Sequence, residues 1–209
     1  MAGNSIRCVA KYLFDKGYVR GEYMTIESAS GTHLLRLYLR DGKVSSVEVD
    51  MGKASLNPRD LPALVSNTVS FVDLPVPIGA ELWRVTGVAI GNPHAVVFCD
   101  SLDTLDLSQI GPAFEYAPVF PERVNAEFVR ILGKTELRVR VWERGNGETM
   151  ACGTGACAAV IAAAENGYCE KGADVTVHLP GGDLTVNYTD DRVLLTGSAV
   201  MVFEGTFEI

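Results

Sequence analysis

The stretch that decides the fold is Glu-Arg-Gly-Asn-Gly-Glu-Thr-Met-Ala-Cys-Gly-Thr-Gly-Ala-Cys-Ala-Ala-Val, residues 143–160. In it, Cys152 is followed by Gly-Thr-Gly and then by a helix-forming run, 156–165. A thiol directly before a helix faces unpaired backbone N–H groups and the positive end of the helix dipole, which favour a thiolate or a bound carboxylate. The alternative is that Cys152 is a small buried apolar residue. The surrounding glycines and the charged pair Glu143-Arg144 favour the chemical interpretation.

The composition outside this stretch is that of an ordinary globular protein. The chain has 209 residues, of which 47% are hydrophobic and 21% charged, and its net charge is −8. This charge and the scattered basic residues argue against nucleic acid as a partner. No apolar run is long enough for a membrane span and no signal-peptide pattern is seen, so a cytoplasmic protein is expected. Five cysteines without a CxxC pair and three isolated histidines indicate neither a disulfide framework nor a metal site.

Hydrophobic periodicity predicts three helices among short strands. The first helix is predicted over 5–16, with Ile6, Val9, Leu13 and Phe14 as its apolar stripe. The others are predicted over 105–117 and from the Cys152 turn to 166. Residues 53–81 hold four prolines and are predicted to be a mostly irregular connection. Strands are predicted as antiparallel segments within 22–50 and then over 82–90, 95–99, 125–132, 137–143, 174–179, 183–188, 192–196 and 200–207.

The sequence also repeats itself at an offset of 150 residues. Gly3, Gly17, Tyr18, Gly31, Leu34 and Asp41 are identical to Gly153, Gly167, Tyr168, Gly181, Leu184 and Asp191. These identities fall at helix boundaries and hairpin turns, where glycine and aspartate have backbone roles. They indicate a duplicated unit of turn, helix and strand meander; the alternative is chance agreement among common turn residues. In this register Ala2 stands in the place of Cys152, and the first unit is predicted to lack the strands that should precede its helix.

Four motifs resemble the diaminopimelate epimerase family: 143–160, GNPHAVVF at 91–98, FPERVNAEFV at 120–129 and MAGNSIRCVAKYL at 1–13. The resemblance covers essentially the whole chain. It implies an α+β fold of two pseudo-symmetric domains, each a curled, mostly antiparallel sheet around a central helix, with the active site between them. The first domain (1–82) is expected to be incomplete, the second to span 83–198, and 199–209 to return to the first domain as a strand. It also implies an isomerase that uses no cofactor and no pyridoxal phosphate.

The family reaction interconverts LL- and meso-diaminopimelate, a precursor of lysine and peptidoglycan. Inverting a stereocentre needs a base on one face and an acid on the other. By resemblance, Cys152 is one of the two acid/base thiols and Ala2 occupies the position of the second. A helix N-terminus is expected to pull the thiol pKa towards neutrality.

The remaining roles concern substrate binding. The substrate α-carboxylate is expected to bind backbone N–H groups of Gly3-Asn4 and Gly153-Thr154, at the starts of two helices. By resemblance, His94 and Glu143 help to set the protonation of the thiols. Also by resemblance, the distal end of the substrate is held by Asn92, Asn125, Arg144 and Glu143. Taken alone, these residues have simpler explanations: a turn asparagine before Pro93, a structural histidine, and a solvated ion pair at 143–144.

Two departures from the family pattern bear on activity. The family has cysteine where this chain has Ala2, and its members begin about seventy residues earlier in the repeat register. No measurable epimerisation is therefore predicted for this chain. One alternative is a non-catalytic binding or remnant protein, and another is a related isomerase of the proline racemase or phenazine type. An incomplete sheet leaves an edge at which a homodimer can form.

Overall fold

The computed structural model of the chain describes residues 3–28, 31–65 and 68–206. Within these ranges the fold is α+β, as expected, and has one short 3-10 helix at Leu102–Thr104. The helices are α1 (Gly3–Asp15), α2 (Leu107–Glu115) and α3 (Gly153–Glu165). The strands are β1 (Tyr23–Ser28), β2 (Gly31–Arg40), β3 (Lys43–Asp50), β4 (Leu74–Ile78), β5 (Glu81–Ala89), β6 (Pro93–Phe98), β7 (Asn125–Gly133), β8 (Glu136–Glu143), β9 (Gly147–Thr149), β10 (Asp174–Leu179), β11 (Gly182–Tyr188) and β12 (Val193–Ser198).

The strands form one continuous mixed sheet. Their order is β1-β2-β3-β12-β11-β10-β8-β7-β6-β5-β4, with β9 pairing β8 off this path. Two pairs are parallel, β10 with β8 and β6 with β7, and the other pairs are antiparallel. The sheet is therefore mostly antiparallel, as predicted.

The duplicated unit is present in the backbone. The first unit consists of α1 and β1–β3, and the second of α3 and β10–β12. These elements correspond one to one at an offset of 150 residues. Both helices end at a glycine with positive φ, +78° at Gly17 and +79° at Gly167. The Gly17 N–H donates to the Phe14 carbonyl at 2.9 Å, and the Gly167 N–H donates to the Ala164 carbonyl at 3.0 Å. Such left-handed helix ends favour glycine, which is why the repeat is visible in the sequence.

The third strands of the two units pair with each other. β3 and β12 are antiparallel, and Val47 stands opposite Gly197, which is the same position in the second unit. A pseudo-two-fold axis therefore passes through this pair. One hydrophobic core extends across it and includes buried residues of α1, α3 and the strands around them, while a second core surrounds α2.

α3 is the central helix because its residues are small and apolar on every side. All residues from Gly153 to Ala163 are buried. α1, in contrast, is amphipathic, and its bounds are one or two residues earlier than the predicted 5–16. Its buried face contains Ile6 and Ala10, which are four residues apart, whereas Val9 is 44% exposed. The prediction that Val9 belongs to the apolar stripe is therefore wrong.

The predicted irregular connection over 53–81 contains a strand. β4 pairs antiparallel with β5, with Pro75 opposite Arg84 and Pro77 opposite Leu82. Prolines are tolerated there because β4 lies at the edge of the sheet, where one side of the strand needs no ladder hydrogen bonds. The three-residue strand β9 was not predicted either. The domain boundary at 82/83 stays a prediction.

The predicted last strand is absent from the described part of its range, 200–206. A strand must hydrogen-bond to a neighbouring strand, and the Val200, Val202 and Phe203 side chains are instead exposed. This segment does contact the first unit, because the Lys16 Nζ lies 2.6 Å from the Glu204 carboxylate. Among the described residues, no helix has the length and apolar character required to cross a membrane.

Candidate active site

The Cys152 turn starts the central helix. Cys152 is the N-cap residue of α3, with extended backbone angles (φ −124°, ψ 115°). Its sulfur accepts a hydrogen bond from the Gly155 N–H at 3.4 Å, and the Thr154 hydroxyl oxygen lies 3.5 Å from the same sulfur. The first N–H groups of a helix have no partner within the helix. One backbone donor of the helix start, the Gly155 N–H, therefore points at the thiol.

The two repeated helices begin side by side. A side chain added at Gly153 would lie 3.7 Å from the Gly3 Cα, and one added at Gly3 would lie 3.9 Å from the Gly153 Cα. These side chains would also approach the Leu195 side chain to 3.1 and 3.0 Å, respectively. Glycine at both positions therefore permits the close approach. We call the region at these two N-termini, formed by Gly3, Asn4, Gly153 and Thr154, the helix-start crevice. Both helix dipoles favour negative charge in it.

The Cys152 thiol is more basic than its helix position predicts. Burial raises its pKa to about 12, the Glu127 carboxylate raises it next, and Glu143 adds to the increase. Hydrogen bonds from Thr154 and Gly155 lower this pKa, but each by less than burial or Glu127 raises it. The expectation of a pKa near neutrality is therefore wrong, because desolvation of a charge outweighs the helix N-terminus when the thiol is 7% exposed. Burial therefore favours the protonated form of Cys152.

A buried histidine–glutamate pair lies near the thiol. His94 Nδ1 is 2.7 Å from Glu127 Oε1, and neither side chain is exposed. Parallel pairing of β6 with β7 places His94 opposite Asn125, and Glu127 lies two residues further on the same face. Burial raises the pKa of Glu127, and the neighbouring His94 opposes this increase. This carboxyl therefore holds its proton to a higher pH than an exposed glutamate does.

Hydrogen bonds connect this pair to Cys152. His94 Nε2 is 2.9 Å from Asn92 Oδ1, and Asn92 Nδ2 donates to the Thr154 hydroxyl at 3.3 Å. Thr154 in turn contacts the Cys152 sulfur. Since the Asn92 oxygen faces the ring, His94 Nε2 is the donor in that bond. His94 thus reaches Cys152 through Asn92 and Thr154 rather than by direct contact.

Glu127 and Gly155 are site residues that the sequence interpretation missed. Glu127 has one carboxylate oxygen, Oε2, with no hydrogen-bond partner among the described residues. A side chain at Gly155 would lie 2.8 Å from Glu127 Oε1 and 3.4 Å from the Cys152 sulfur. Gly155 therefore makes room for the carboxylate beside the thiol. The available signal was one glutamate inside the otherwise apolar run of β7.

Asn125 connects two strand ends next to the pair. Its Nδ2 donates to the Pro93 carbonyl at 3.0 Å, and its Oδ1 accepts from the Arg144 backbone N–H at 2.8 Å. The nitrogen and the oxygen of this buried side-chain amide thus both have hydrogen-bond partners within the protein. Asn125 holds the start of β6 against the turn that follows β8.

Glu143 and Arg144 lie at the outer side of the site. The Glu143 carboxylate accepts a hydrogen bond from the Thr149 hydroxyl. The Arg144 guanidinium is exposed and donates to the Glu122 carbonyl at 2.9 Å. Glu143 is close enough to raise the pKa of both Cys152 and Glu127, whereas the Arg144 guanidinium points to a neighbouring loop.

The structure thus brings most of the predicted residues to one region. Hydrogen bonds or direct packing connect Gly3, Asn4, Asn92, His94, Asn125, Cys152, Gly153 and Thr154. Ala2 lies outside the described residues. Among residues 3–28, 31–65 and 68–206, no group of three or more histidine, cysteine or acidic side chains is arranged to hold a metal ion.

Sequence comparison gives consistent results along the chain. The profile of the family described as diaminopimelate epimerase matches residues 86–202. Diaminopimelate epimerase of Desulfovibrio desulfuricans is 44% identical over 216 aligned residues, which cover all of this chain and 75% of that protein. Diaminopimelate epimerase of Acetivibrio thermocellus is 46% identical over 211 aligned residues, which cover all of this chain and 74% of that protein.

Solved structures show a similar fold at low sequence identity. A hydroxyproline epimerase from Agrobacterium vitis matches with a TM-score of 0.68 and 17% identity, covering 95% of this chain and 63% of that one. A phenazine biosynthesis protein of Bacillus anthracis matches with a TM-score of 0.65 and 14% identity, covering 96% and 74% of the two chains. At these identities the likeness concerns the fold alone.

Proposed function

Because the chain belongs to the diaminopimelate epimerase family, we propose that its helix-start crevice binds diaminopimelate as that family's substrate. The observation that carries this proposal is the meeting of two helix N-termini, at Gly3 and Gly153, next to the buried Cys152. A carboxylate in the crevice would accept hydrogen bonds from backbone N–H groups of both helices. Negative charge that develops at the α-carbon would spread into this carboxylate, where both dipoles stabilise it.

In the proposed reaction Cys152 acts on one face of the α-carbon. Its raised pKa makes it a thiol at rest, so it donates a proton in one direction of the reaction. In the other direction it must first lose its proton. A substrate ammonium group in the crevice would favour the thiolate, because an opposite charge stabilises it. Asn92 and Thr154 hold the thiol in place, while His94 and Glu127 set the charge behind it.

The distal end of diaminopimelate carries an ammonium and a carboxylate group. We assign the ammonium group to Glu143, because glutamate binds ammonium. We assign the carboxylate group to Arg144 with Asn92 and Asn125, because arginine binds carboxylate. The Arg144 guanidinium would have to turn away from the Glu122 carbonyl to take part. The side-chain amides of Asn92 and Asn125 also have hydrogen-bond partners within the protein, so these amides would bond to the substrate as well as to those partners.

Ala2 provides no acid or base at the position that matches the second thiol. We therefore expect binding without epimerisation. The chain would then act as a binding protein that keeps the family's substrate site, in the lysine and peptidoglycan precursor pathway of the cytoplasm. A homodimer formed through the sheet edge remains part of this proposal.

The test is to incubate the protein separately with LL- and meso-diaminopimelate in deuterated water. Chiral chromatography measures interconversion, mass spectrometry measures deuterium at the α-carbon, and calorimetry measures binding. We expect micromolar-range binding and no interconversion, with proline as a non-competing control ligand. Turnover comparable to that of an intact family enzyme would contradict the inactive state. Absence of diaminopimelate binding, or binding of proline instead, would contradict the substrate assignment.

A further inference from the structure

Arg7 carries a buried positive charge that contacts the first turn of α1. Only 6% of Arg7 is exposed. Its Nη1 donates to the Gly3 carbonyl at 3.0 Å and its Nη2 donates to Asn4 Oδ1 at 3.1 Å. Burial lowers the pKa of Arg7, but a guanidinium remains protonated in folded proteins.

This charge has no counter-charge in the part of the chain that the structure describes. The ion pairs found there do not include Arg7, and its Nε has no hydrogen-bond partner. A buried and unpaired charge is strongly unfavourable in a protein interior. An anionic ligand near Arg7 would offset this cost.

The fold makes specific room for the guanidinium. A side chain at Gly197 would lie 2.9 Å from the Arg7 Cζ and Nε atoms. In the second unit, the position of Arg7 is taken by Cys157, a fully buried thiol. The arginine is therefore a feature of one unit and not a requirement of the duplicated backbone.

Arg7 also determines how Asn4 faces the crevice. Because Arg7 donates to Asn4 Oδ1, the Asn4 Nδ2 group remains available as a donor. The same Oδ1 atom lies 3.7 Å from the point where a Gly153 side chain would begin, so the Asn4 amide lies next to the start of α3. The acidic residues near the site, Glu127 and Glu143, act on Cys152 at the start of α3.

We propose that Arg7 is a positioning residue for a carboxylate bound in the helix-start crevice. Its hydrogen bond to Asn4 Oδ1 holds the Asn4 side-chain amide so that the Nδ2–H group is available to the ligand. The guanidinium also adds a permanent positive charge to the partial positive charges of the two helix N-termini. The identity of the carboxylate as the α-carboxylate of diaminopimelate rests on the proposed function. The anionic character of the ligand rests on Arg7 and the paired helix starts.

The test compares Arg7→Gln with Arg7→Lys in the full chain. Glutamine keeps a polar side chain without the charge, and lysine keeps the charge. Calorimetry measures binding of meso-diaminopimelate, and thermal unfolding measures stabilisation by sodium sulfate against sodium chloride of equal ionic strength.

We expect Arg7→Gln to weaken meso-diaminopimelate binding by about tenfold or more and to reduce the stabilisation by sulfate. Arg7→Lys should lie between Arg7→Gln and the wild type in both measurements. Without ligand, Arg7→Gln should unfold no earlier than the wild type, since a buried charge is removed. Arg130→Gln, which removes an exposed charge on β7, is the control.

The outcomes separate the two proposals. Binding by Arg7→Gln as tight as that of the wild type, or by Arg7→Lys no better than by Arg7→Gln, overturns the role of Arg7. If the wild type responds to sulfate but not to diaminopimelate, and Arg7→Gln loses the sulfate response, the proposed function is wrong and the role of Arg7 stands. If the wild type responds to neither ligand, both are wrong.

Discussion

The two repeated units have the same backbone plan and different chemistry. In each, a 13-residue helix begins at a glycine, ends at a left-handed glycine and leads into three strands. The start of α1 has a buried guanidinium and the exposed amide of Asn4. The start of α3 has a buried thiol with Glu127 and Glu143 close to it. The backbone plan depends on glycines and main-chain hydrogen bonds, so the side chains were free to differ.

This difference makes the crevice electrically asymmetric. Positive charge lies on the α1 side, whereas carboxylates act on the thiol of the α3 side. For a reaction that needs one acid and one base, such asymmetry helps to keep one of two equivalent positions protonated. Each of the following predictions changes one unit and uses the other unit, or another site of the chain, for comparison.

The largest effect is expected from Ala2→Cys, which makes the two units alike in carrying a thiol before the helix. We expect epimerisation to become measurable, because a positioned acid or base contributes about a hundredfold or more to the rate. Interconversion of LL- and meso-diaminopimelate is measured for Ala2→Cys alone and with the N-terminal segment of the Desulfovibrio desulfuricans relative fused before Met1. If both proteins are folded and inert, the assignment of position 2 is wrong. Ala2→Ser is the matched control.

The next effect concerns stability. Gly155→Ala places a methyl group 2.8 Å from Glu127 Oε1 and 3.2 Å from the Cys152 Cβ. Such overpacking costs about 1–3 kcal/mol of unfolding free energy. Ser5 occupies the same position in the first unit and is exposed, so Ser5→Ala should change stability by less than about 0.5 kcal/mol. Urea unfolding of both variants measures the difference, and equal stabilities would contradict the described packing at Gly155.

A smaller effect is expected on the pKa and the alkylation rate of the Cys152 thiol. The Glu127 carboxylate raises the pKa of Cys152, so Glu127→Gln should lower this pKa and increase the thiolate fraction at pH 9. Alkylation of Cys152 by iodoacetamide should then become several-fold faster, as followed by peptide mass spectrometry. The exposed Cys8 serves as the internal reference. Glu143→Gln should have the same sign and a smaller effect, and a slower reaction in Glu127→Gln would contradict the proposed charge on the carboxylate.

The smallest effect is expected for the contribution of His178, in the β10–β11 hairpin, to the stability of the protein. His178 contacts Asp183 and Glu136 at 2.8 Å, and both raise its pKa. At the matching positions of the first unit, Ser28 contacts His33. A raised folded-state pKa gives stability that is present below the unfolded pKa of about 6.5 and disappears as pH rises through the folded value.

His178→Gln should therefore destabilise the protein at pH 5.5 by less than about 1 kcal/mol, because the pairs are largely exposed. The difference from the wild type should vanish by pH 9. Thermal unfolding at several pH values measures this, with His33→Gln as the comparison in the first unit. A stability loss in His178→Gln that persists unchanged at pH 9 would show that packing and not charge is involved.

Much of the fold was predictable, for identifiable reasons. The helices and most strands follow from periodicity, and the duplication is visible because Gly17 and Gly167 occupy left-handed helix ends. β4 was missed since its two prolines resemble a loop, and sequence does not show that a strand will lie at a sheet edge. The strand predicted over 200–207 has an apolar pattern, but a pattern does not reveal whether a partner strand is available.

The site was predictable where residues belong to motifs and unpredictable where burial decides. Cys152 and the two helix starts follow from the glycine-rich turns. The direction of the thiol pKa does not, because desolvation depends on residues distant in sequence. Glu127 was missed because period-two alternation describes a strand with one exposed face, whereas all residues from 125 to 129 are buried.

The pairing of Val47 with Gly197 on the pseudo-two-fold axis has an evolutionary consequence. A valine at 197, as at 47, would collide with Arg7 and also with Leu184, whose Cδ2 is 2.5 Å from a side chain there. A small residue in place of Arg7, as in the second unit, would leave a cavity beside Gly197. Either reversion alone is unfavourable. The residues at 7 and 197 are therefore coupled, and a substitution at one of them is expected to be tolerated better when the other changes as well.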